Sequence, residues 1–293
     1  MELRVLRYFL TVVREENISK AAELLHVTQP TLSRQLMQLE EELGTQLFIR
    51  GKHLTLTDSG IMLCRRAEEV VDLLDKIERE FDEQNELSGI ISIGSGGLSA
   101  SKVLPEILDE FKKKYPKVQY KFYTDNALNV KEKLDKGLLD FGLLLEPINI
   151  EKYDYIRMQE KEQWGILMPV DSPLAQKDYV TKEDLRGLPI VTTNRITIQK
   201  ELANWFGDDF SKLNIFATYN IVTNIAMIVN NGTAYALTIK GAVEFFDKDK
   251  LIFKPLYPEL LMTSVLVWKK FQPFFGAAGK FLEYFKYKYS SKK

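Results

Sequence analysis

The sequence predicts an α + α/β chain with three parts, and three observations along the chain support this. Residues 17–60 hold two short helices, a tight turn and a β-hairpin, the pattern of a winged helix-turn-helix. One long linker helix is predicted over residues 59–88, because no proline or glycine occurs between Ile61 and Leu87. From Gly89 onward strands and helices alternate, which is typical of an α/β region.

Composition sets broad limits on function. The chain has 293 residues, of which 45% are hydrophobic and 28% charged, as expected for two globular domains with connecting structure. Its formal net charge is −1, so a nucleic-acid-binding function must depend on a local surface rather than on overall basicity. One cysteine, Cys64, excludes an intramolecular disulfide, and the N-terminal residues match neither a signal peptide nor a membrane span. These features predict a cytoplasmic protein.

The first two helices are predicted from their apolar spacing and caps. Residues 2–16 form an amphipathic helix. In the second helix Ser19 is expected to be the N-cap, because its hydroxyl can accept a backbone N–H, and Ala21 and Ala22 are small enough to let another helix approach. The inner stripe of the first helix is Leu3, Leu6, Phe9, Leu10 and Val13.

The third helix is the one around which the N-terminal part is organised. Thr28 is its predicted N-cap, Pro30 sits in its first turn, and Gly44 ends it. Its buried face is predicted from leucines at spacings of four, three and four: Leu32, Leu36, Leu39 and Leu43.

The opposite face of this helix carries polar side chains and no acid before Glu41. Such donors in the N-terminal half are typical of a recognition helix that meets base edges. The alternative is an ordinary antiparallel helix pair whose polar face is solvated. Pro30, Thr31, Arg34 and Gln38 lie on this face, with Ser33 on its shoulder.

The following segment favours the DNA-binding interpretation. LFIRGKHLTLTDSG contains two short β-prone pieces around Gly51, with Arg50 and Lys52 at the tip. A hairpin with a basic tip beside a helix-turn-helix can contact phosphates, which position a protein on the duplex.

Residues 2–50 closely resemble the N-terminal winged helix of LysR-type transcriptional regulators, and LTLTDSG continues the resemblance. It implies groove-facing roles for Gln29, Pro30, Thr31, Ser33 and Arg34, and phosphate contacts by Arg50 and Lys52. Ser19, Thr28 and Gln38 are further predicted DNA-binding residues. The resemblance rests on Phe9, Ala21, Ala22, Leu25, Val27, Gln29, Pro30, Leu32, Ser33, Leu39, Glu40, Leu43, Gly44, Leu47, Phe48 and Arg50.

The linker helix shows two apolar series with a period of seven residues, offset by four. This is a coiled-coil seam sustained for about three heptads. A long helix packed on its own domain is the alternative, but the resemblance implies a helix that pairs two subunits. The predicted dimerisation residues are Leu63, Ala67, Val70, Leu74, Ile77 and Phe81.

The α/β region is predicted to contain largely parallel sheets in two small lobes. It resembles the effector-binding half of the same regulators, which looks like a periplasmic binding protein. YDYIRMQ and WGILMPV are expected to be separate strands. The predicted domains are 1–58 (DNA-binding), 59–88 (linker) and 89–293 (effector-binding), with crossings between lobes near Glu160–Gln163 and Val267–Lys269. Lobe I then comprises 89–161 and 269–293, and lobe II comprises 162–268.

A glycine-rich loop, GSGGLSAS at residues 94–101, lies between a strand and a helix. Glycines let backbone N–H groups approach a ligand, and a helix N-terminus favours an anion. Dinucleotide binding is opposed by Ser99 at the sixth position, and a plain strand-to-helix turn is the other alternative. The candidate effector residues here are Gly96, Gly97, Leu98 and Ser99.

Two further loops are expected to face this one across a cleft, since open α/β folds bind ligands beyond the carboxyl ends of strands. Singly, each threonine or asparagine there is more simply interpreted as a helix cap. Together they predict an organic anion held by hydroxyls and backbone amides rather than by an ion pair. These loops contain Thr192, Thr193 and Asn194, and Val222, Thr223 and Asn224.

Catalysis has little support. Both histidines, His26 and His53, lie in the N-terminal part, so a Ser-His-Asp arrangement in the α/β half is excluded, and no metal-binding or cofactor motif occurs. Cys64 is more simply a packed thiol than a redox sensor.

The sequence therefore predicts a sequence-specific transcriptional regulator that is not an enzyme and uses no metal or cofactor. Its expected partners are an operator in double-stranded DNA, a small-molecule effector, and itself as a dimer or tetramer. RNA polymerase is a further candidate partner, and no membrane is involved. The alternatives are a solute-binding protein and a cytosolic enzyme with an accessory helical domain.

Overall fold

The computed structural model describes residues 1–49, 54–81, 87–271 and 276–291; the side chains at 76, 78–81 and 290–291 also lie outside the description. Contacts divide the chain into two units, Met1–Asp82 and Glu83–Lys293. Each unit has a hydrophobic core of its own.

The described part of the N-terminal unit contains four helices and one antiparallel hairpin, as predicted. The long helix is described to Phe81, and Leu87, its predicted end, is not helical. The elements are α1 Leu3–Glu15, α2 Ile18–Leu24, α3 Gln29–Leu43, β1 Phe48–Ile49, β2 Thr55–Leu56 and α4 Asp58–Phe81.

The buried residues of this unit follow the predicted helical spacing, but they differ from the prediction at the helix ends. Leu6 and Phe9 of α1 are buried as predicted, but Val5 and Val12 complete the stripe and Leu3 is exposed. In α3 the first three leucines are buried, whereas Leu43 is exposed. It is the last helical residue, and Gly44 then turns the chain with a φ of 65°.

The C-terminal unit alternates strands and helices. The two strands predicted at YDYIRMQ and WGILMPV are one continuous strand. The elements are β3 Gly89–Ser95, α5 Leu104–Lys114, β4 Val118–Thr124, α6 Ala127–Asp135, β5 Phe141–Leu145, β6 Tyr153–Pro169, β7 Pro189–Thr193, α7 Ile196–Phe206, β8 Asn214–Tyr219, α8 Ile225–Asn230, β9 Tyr235–Ile239, α9 Lys240–Val243, β10 Leu251–Pro255, β11 Leu261–Lys269 and α10 Gly276–Ser291.

The strands are joined in the order β4-β3-β5-β11-β6-β9-β7-β8, and β10 pairs with β6. Parallel pairing is confined to the outer strands, β3 with β4 and β5, and β7 with β8 and β9. The central strands β6 and β11 are antiparallel to their neighbours. The expectation of largely parallel sheets therefore applies only to the two ends.

Strand pairing also defines the lobes. β6 pairs with β11 as far as Gln163 and with β9 from Trp164, so the first crossing lies near its predicted position. β11 pairs with β5 and with the first part of β6, so the whole strand belongs to the first lobe. The chain consequently returns near Tyr257–Leu260, between β10 and β11, and the predicted return at Val267–Lys269 is wrong.

Candidate functional site

The first candidate site is the face of α3 that points away from the core. Leu32, Leu36 and Leu39 hold the other face in the interior. The predicted contact residues are all exposed except Ser33, which is half-buried: Gln29, Pro30, Thr31, Arg34 and Gln38. This face is accessible along its length within the unit.

Side-chain hydrogen bonds order the start of α3. The Thr28 hydroxyl accepts the N–H of Thr31 at 3.3 Å and lies 2.8 Å from the Thr31 hydroxyl, as predicted for an N-cap. The side-chain amide of Gln29 donates to the hydroxyl of Ser33, one turn further along the helix, at 2.9 Å. These groups are therefore held in place on an exposed helix N-terminus, where their remaining donors and acceptors face outward.

Arg34 follows this cluster on the same face. It is exposed, and among the described residues no hydrogen bond or ion pair engages its guanidinium. An arginine in this condition can offer two parallel N–H groups to a guanine edge or a phosphate. The acids of α3 lie at the other end of the helix, where Glu42 pairs with the N-terminal amine at 2.7 Å.

Ser19 is not the cap of α2, contrary to prediction. Asn17, two residues earlier, has an extended backbone, and its side-chain oxygen accepts the N–H of Lys20 at 3.0 Å. Ser19 lies inside the first turn with an exposed side chain. Its hydroxyl is therefore not engaged in capping the helix.

The wing is anchored by a carboxylate of α3. Glu40 accepts the N–H groups of Leu47 and Phe48 at 2.7 and 3.2 Å, which fixes the entry into β1. The predicted phosphate contacts, Arg50 and Lys52, lie outside the described residues.

The predicted dimerisation residues of α4 fall into two groups. Ala67 is buried in the core of its own unit and Leu63 packs against that core, so Ala67 cannot face a partner as predicted. Val70 and Ile77 are 44% and 43% exposed, and Leu74 is half-buried. The side chain of Phe81 lies outside the description.

The second candidate site is a cleft of about 500 Å³ between the two lobes. The first lobe contributes Leu128 and Leu143, and the second contributes Ile196 and Ile221. Seven of the predicted effector residues line it: Gly96, Gly97, Leu98, Thr193, Asn194, Val222 and Thr223. The lobes thus meet around a partly apolar space of the size that small-molecule ligands require.

Ser99 and Thr192 do not line the cleft. Ser99 is buried, and its N–H donates to the Glu162 carboxylate at 2.9 Å. Thr192 is also buried, and its hydroxyl meets no hydrogen-bond partner among the described residues. Residues in a strand alternate between faces, so Thr193 reaches the cleft and Thr192 cannot.

The N–H groups predicted to hold an external anion are occupied by an internal one. Glu162 of β6 is 0% exposed and accepts the N–H groups of Ser99 and Ala100 at 2.9 and 3.0 Å. The Ser264 hydroxyl donates to the same carboxylate at 3.2 Å. The start of the 3₁₀ turn Ser99–Val103 is therefore satisfied within the protein.

The glycine at position 97 is explained by packing between the lobes. A Cβ there would lie 2.9 Å from the Cα of Ala242 in α9. At the neighbouring Gly241 a Cβ would lie 2.1 Å from the Ser99 nitrogen. Glycine at these two positions lets the two backbones approach each other closely. This packing explains the glycines without a bound dinucleotide, and so opposes the dinucleotide alternative.

Arg195 is a cleft residue that the sequence reasoning missed. Its Nε donates to Thr197 at 3.1 Å and its Nη2 to the Pro147 carbonyl, across the cleft in the first lobe. Burial lowers the pKa of its guanidinium to about 10, so the group remains charged at neutral pH. Among the described residues no carboxylate pairs with it.

Asp125 is the other charged side chain among those lining the cleft. It accepts hydrogen bonds from the Tyr123 hydroxyl at 2.7 Å and from the amide of Asn129 at 2.9 Å. Burial acts to raise the pKa of its carboxyl, but these bonds outweigh burial and the pKa is lowered overall. Asp125 is therefore an ionised, well-bonded group that orders the first-lobe loop.

The described residues provide little for other chemistry. They bring no group of three histidine, cysteine, aspartate or glutamate side chains together as a metal site. Burial, with a smaller effect of Glu68, raises the pKa of the Cys64 thiol and so disfavours the reactive thiolate. No helix among the described ranges is long and apolar enough to cross a membrane.

Comparison with known proteins agrees with this arrangement. Residues 3–61 match the family model for the bacterial regulatory helix-turn-helix protein, lysR family, and residues 84–289 match the LysR substrate binding domain. The second match alone spans more than half of the chain.

Individual proteins give the same result. The HTH-type transcriptional regulator YtlI of Bacillus subtilis is 31% identical over 251 residues, which cover 82% of this chain and 81% of that protein. The Hca operon transcriptional activator HcaR of Escherichia coli is 28% identical, with 92% of each chain covered. The crystal structure of CbnR, a LysR family transcriptional regulator, shares the fold with a TM-score of 0.75 at 19% identity, over 98% of this chain and 99% of that one. The chain belongs to the LysR-type transcriptional regulators, with an N-terminal helix-turn-helix DNA-binding domain and a C-terminal effector-binding domain.

Proposed function

We propose that this regulator reads an operator with α3 and responds to a small organic anion. The anion binds Arg195 in the cleft through an ion pair, in place of the hydroxyls and backbone amides expected from the sequence. One observation carries the effector class: Arg195 is a partly buried cation in a partly apolar cleft, with no carboxylate among its described partners. Removing a cation from water is unfavourable unless an anion compensates it. A carboxylate or similar group on a ligand supplies that compensation.

On the DNA side, the proposed groove-facing residues are Gln29, Thr31, Ser33 and Arg34. Their support is an exposed, hydrogen-bonded N-terminal turn of α3 next to an arginine without a described partner. Arg34 would read a base edge, and the ordered hydroxyl and amide groups would fix the position of the helix in the major groove. Phosphate contacts by Arg50 and Lys52 rest on the sequence alone.

We further propose that the protein acts as a dimer paired through the exposed part of α4. Val70 and Ile77 are large apolar side chains left in contact with solvent within the unit, and they are seven residues apart. A partner helix that covers them would remove this apolar surface from water. Two recognition helices would then meet successive major grooves of a partly palindromic operator.

Effector binding would act through the lobes. The cleft takes residues from both, and Arg195 of the second lobe already donates to Pro147 of the first. A ligand changes the balance between lobe arrangements only if it binds one arrangement more tightly. An anion that contacts both lobes satisfies this requirement.

Three finer assignments complete the proposal. The protein acts in the cytoplasm, which is consistent with a DNA-binding regulator. It is a regulator without catalytic activity, and the cleft binds its ligand without transforming it. RNA polymerase is a proposed partner at the promoter.

The effector class is tested by thermal unfolding of the full chain with a panel of small organic acids, each beside its neutral amide. We expect at least one acid to raise the Tm and its amide not to, since a ligand stabilises the state it binds. Arg195→Gln should lose this shift, whereas the exposed control Arg186→Gln should retain it. Equal shifts with acid and amide, or an unaltered response of Arg195→Gln, would overturn the proposal.

A further inference from the structure

Trp164 occupies the point at which β6 passes from the first lobe to the second. The preceding residue, Gln163, pairs with Leu261 of β11, whereas Trp164 pairs with Ile239 of β9. Its backbone N–H donates to the Leu260 carbonyl at 2.9 Å. The backbone of Trp164 is thus held where the chain crosses between the lobes.

The side chain of Trp164 combines three properties. Trp164 is among the residues that line the cleft, the residue is 2% exposed, and its indole nitrogen is enclosed and meets no acceptor among the described residues. Trp205 differs, because its indole N–H donates to the Pro258 carbonyl at 2.8 Å. A buried donor without an acceptor is unfavourable, and native structures contain few of them.

We infer that Trp164 recognises the effector by donating its indole N–H to an oxygen of the bound molecule. This inference rests on the proposed function, in which Arg195 holds a carboxylate of the same ligand. The effector is then an organic acid with a second acceptor oxygen, such as an oxo, hydroxyl or further carboxylate group. An acid without that oxygen leaves the N–H unpaired and binds about tenfold to a hundredfold more weakly.

The position of Trp164 also connects recognition with movement of the lobes. The ring belongs to β6, the strand that crosses between the lobes. A ligand that bonds to the indole N–H favours the arrangement in which this nitrogen is presented to it. The second oxygen of the effector therefore influences the lobe angle as well as the affinity.

The test uses the full chain labelled with ¹⁵N in its three tryptophan indoles. Resonances are assigned with Trp164→Phe and Trp205→Phe. The probes are acid pairs that differ by one oxygen: 2-oxobutanoate with butanoate, and 4-hydroxybenzoate with benzoate. We expect an acid with the extra oxygen to move the Trp164 resonance and leave that of Trp205 in place.

The same acid should bind Trp164→Phe at least about tenfold more weakly than the wild type, whereas its counterpart should bind both proteins alike. If an acid binds through Arg195 but the Trp164 resonance does not move and Trp164→Phe keeps its affinity, this inference fails while the proposed function stands. If no acid of the panel binds, or if Arg195→Gln binds as the wild type does, both fail. Should Trp164→Phe not fold, the wild-type resonance alone decides.

Discussion

Arg34 and Arg195 show how the same side chain is used differently in the two units. Arg34 is exposed on α3, whereas burial in the cleft lowers the pKa of Arg195 to about 10. A solvated cation gains little binding free energy from one anion. It contributes to the binding of a polyanion as one of many contacts, and that binding depends on salt concentration. A cation that is partly removed from water gains more from a single small anion. This difference supports the proposal that α3 binds the long anionic duplex and the cleft binds the small acid.

The cleft itself contains a second contrast, between an internal and an external anion. Glu162 accepts the N–H groups of Ser99 and Ala100 from within the protein, so these two groups are not open to an external acid. The start of the 3₁₀ turn in the first lobe is therefore structural, and Arg195 of the second lobe is the cation proposed to bind the external acid.

The largest effect is expected from removing the internal anion. Glu162→Ala leaves two buried N–H groups and the Ser264 hydroxyl without their acceptor, so the free energy of unfolding should fall by about 2–5 kcal/mol. Urea unfolding of the full chain measures this change. Glu283→Ala, an exposed acid of α10, is the control and should change stability little.

An unaltered stability of Glu162→Ala would show that the loop does not depend on this carboxylate. The glycine-rich loop would then again be a candidate for an external anion, and the contrast within the cleft would disappear.

A smaller, more specific effect is expected at Arg34. Selection of bound sequences from a random duplex pool should yield a partly palindromic site. Arg34→Ala should weaken binding to that site by about 1–3 kcal/mol, while binding to random duplex changes less. Arg34→Lys keeps the charge without the two parallel N–H groups, so it should lose specificity but little non-specific affinity.

Equal losses on selected and random duplex would make Arg34 a phosphate contact instead. In that case a lower salt dependence of binding would accompany the loss.

The sequence predicted the α3 surface well because that surface is local. A helix of known phase places every side chain, and the exposures of Thr31, Arg34 and Gln38 agree with the spacing of the buried leucines. The errors of the sequence prediction lie at helix ends, where Asn17 rather than Ser19 is the N-cap of α2. Ala67 was wrongly predicted to face a partner subunit. Heptad spacing shows that a helix face is apolar, but not whether that face packs on its own unit or on a second copy.

The cleft was predictable by region but not by residue, because strands from distant parts of the chain build it. Arg195 directly follows the predicted Asn194, and a lone arginine before an apolar helix was a signal that could have been used. Glu162 gave no such signal, because alternating acids in RMQEKEQ also fit a solvated strand. Only the pairing of β6 with β11 shows that this carboxylate is enclosed.

The central claim is that two separate anion-binding surfaces are coupled, and the affinity for the selected duplex with and without a stabilising acid tests it most directly. We predict that the acid changes the apparent Kd of the wild type, and that Arg195→Gln binds the duplex but no longer responds. Arg34→Ala should lose duplex affinity and still bind the acid. An acid that binds the wild type at Arg195 without altering its affinity for the duplex would contradict the account.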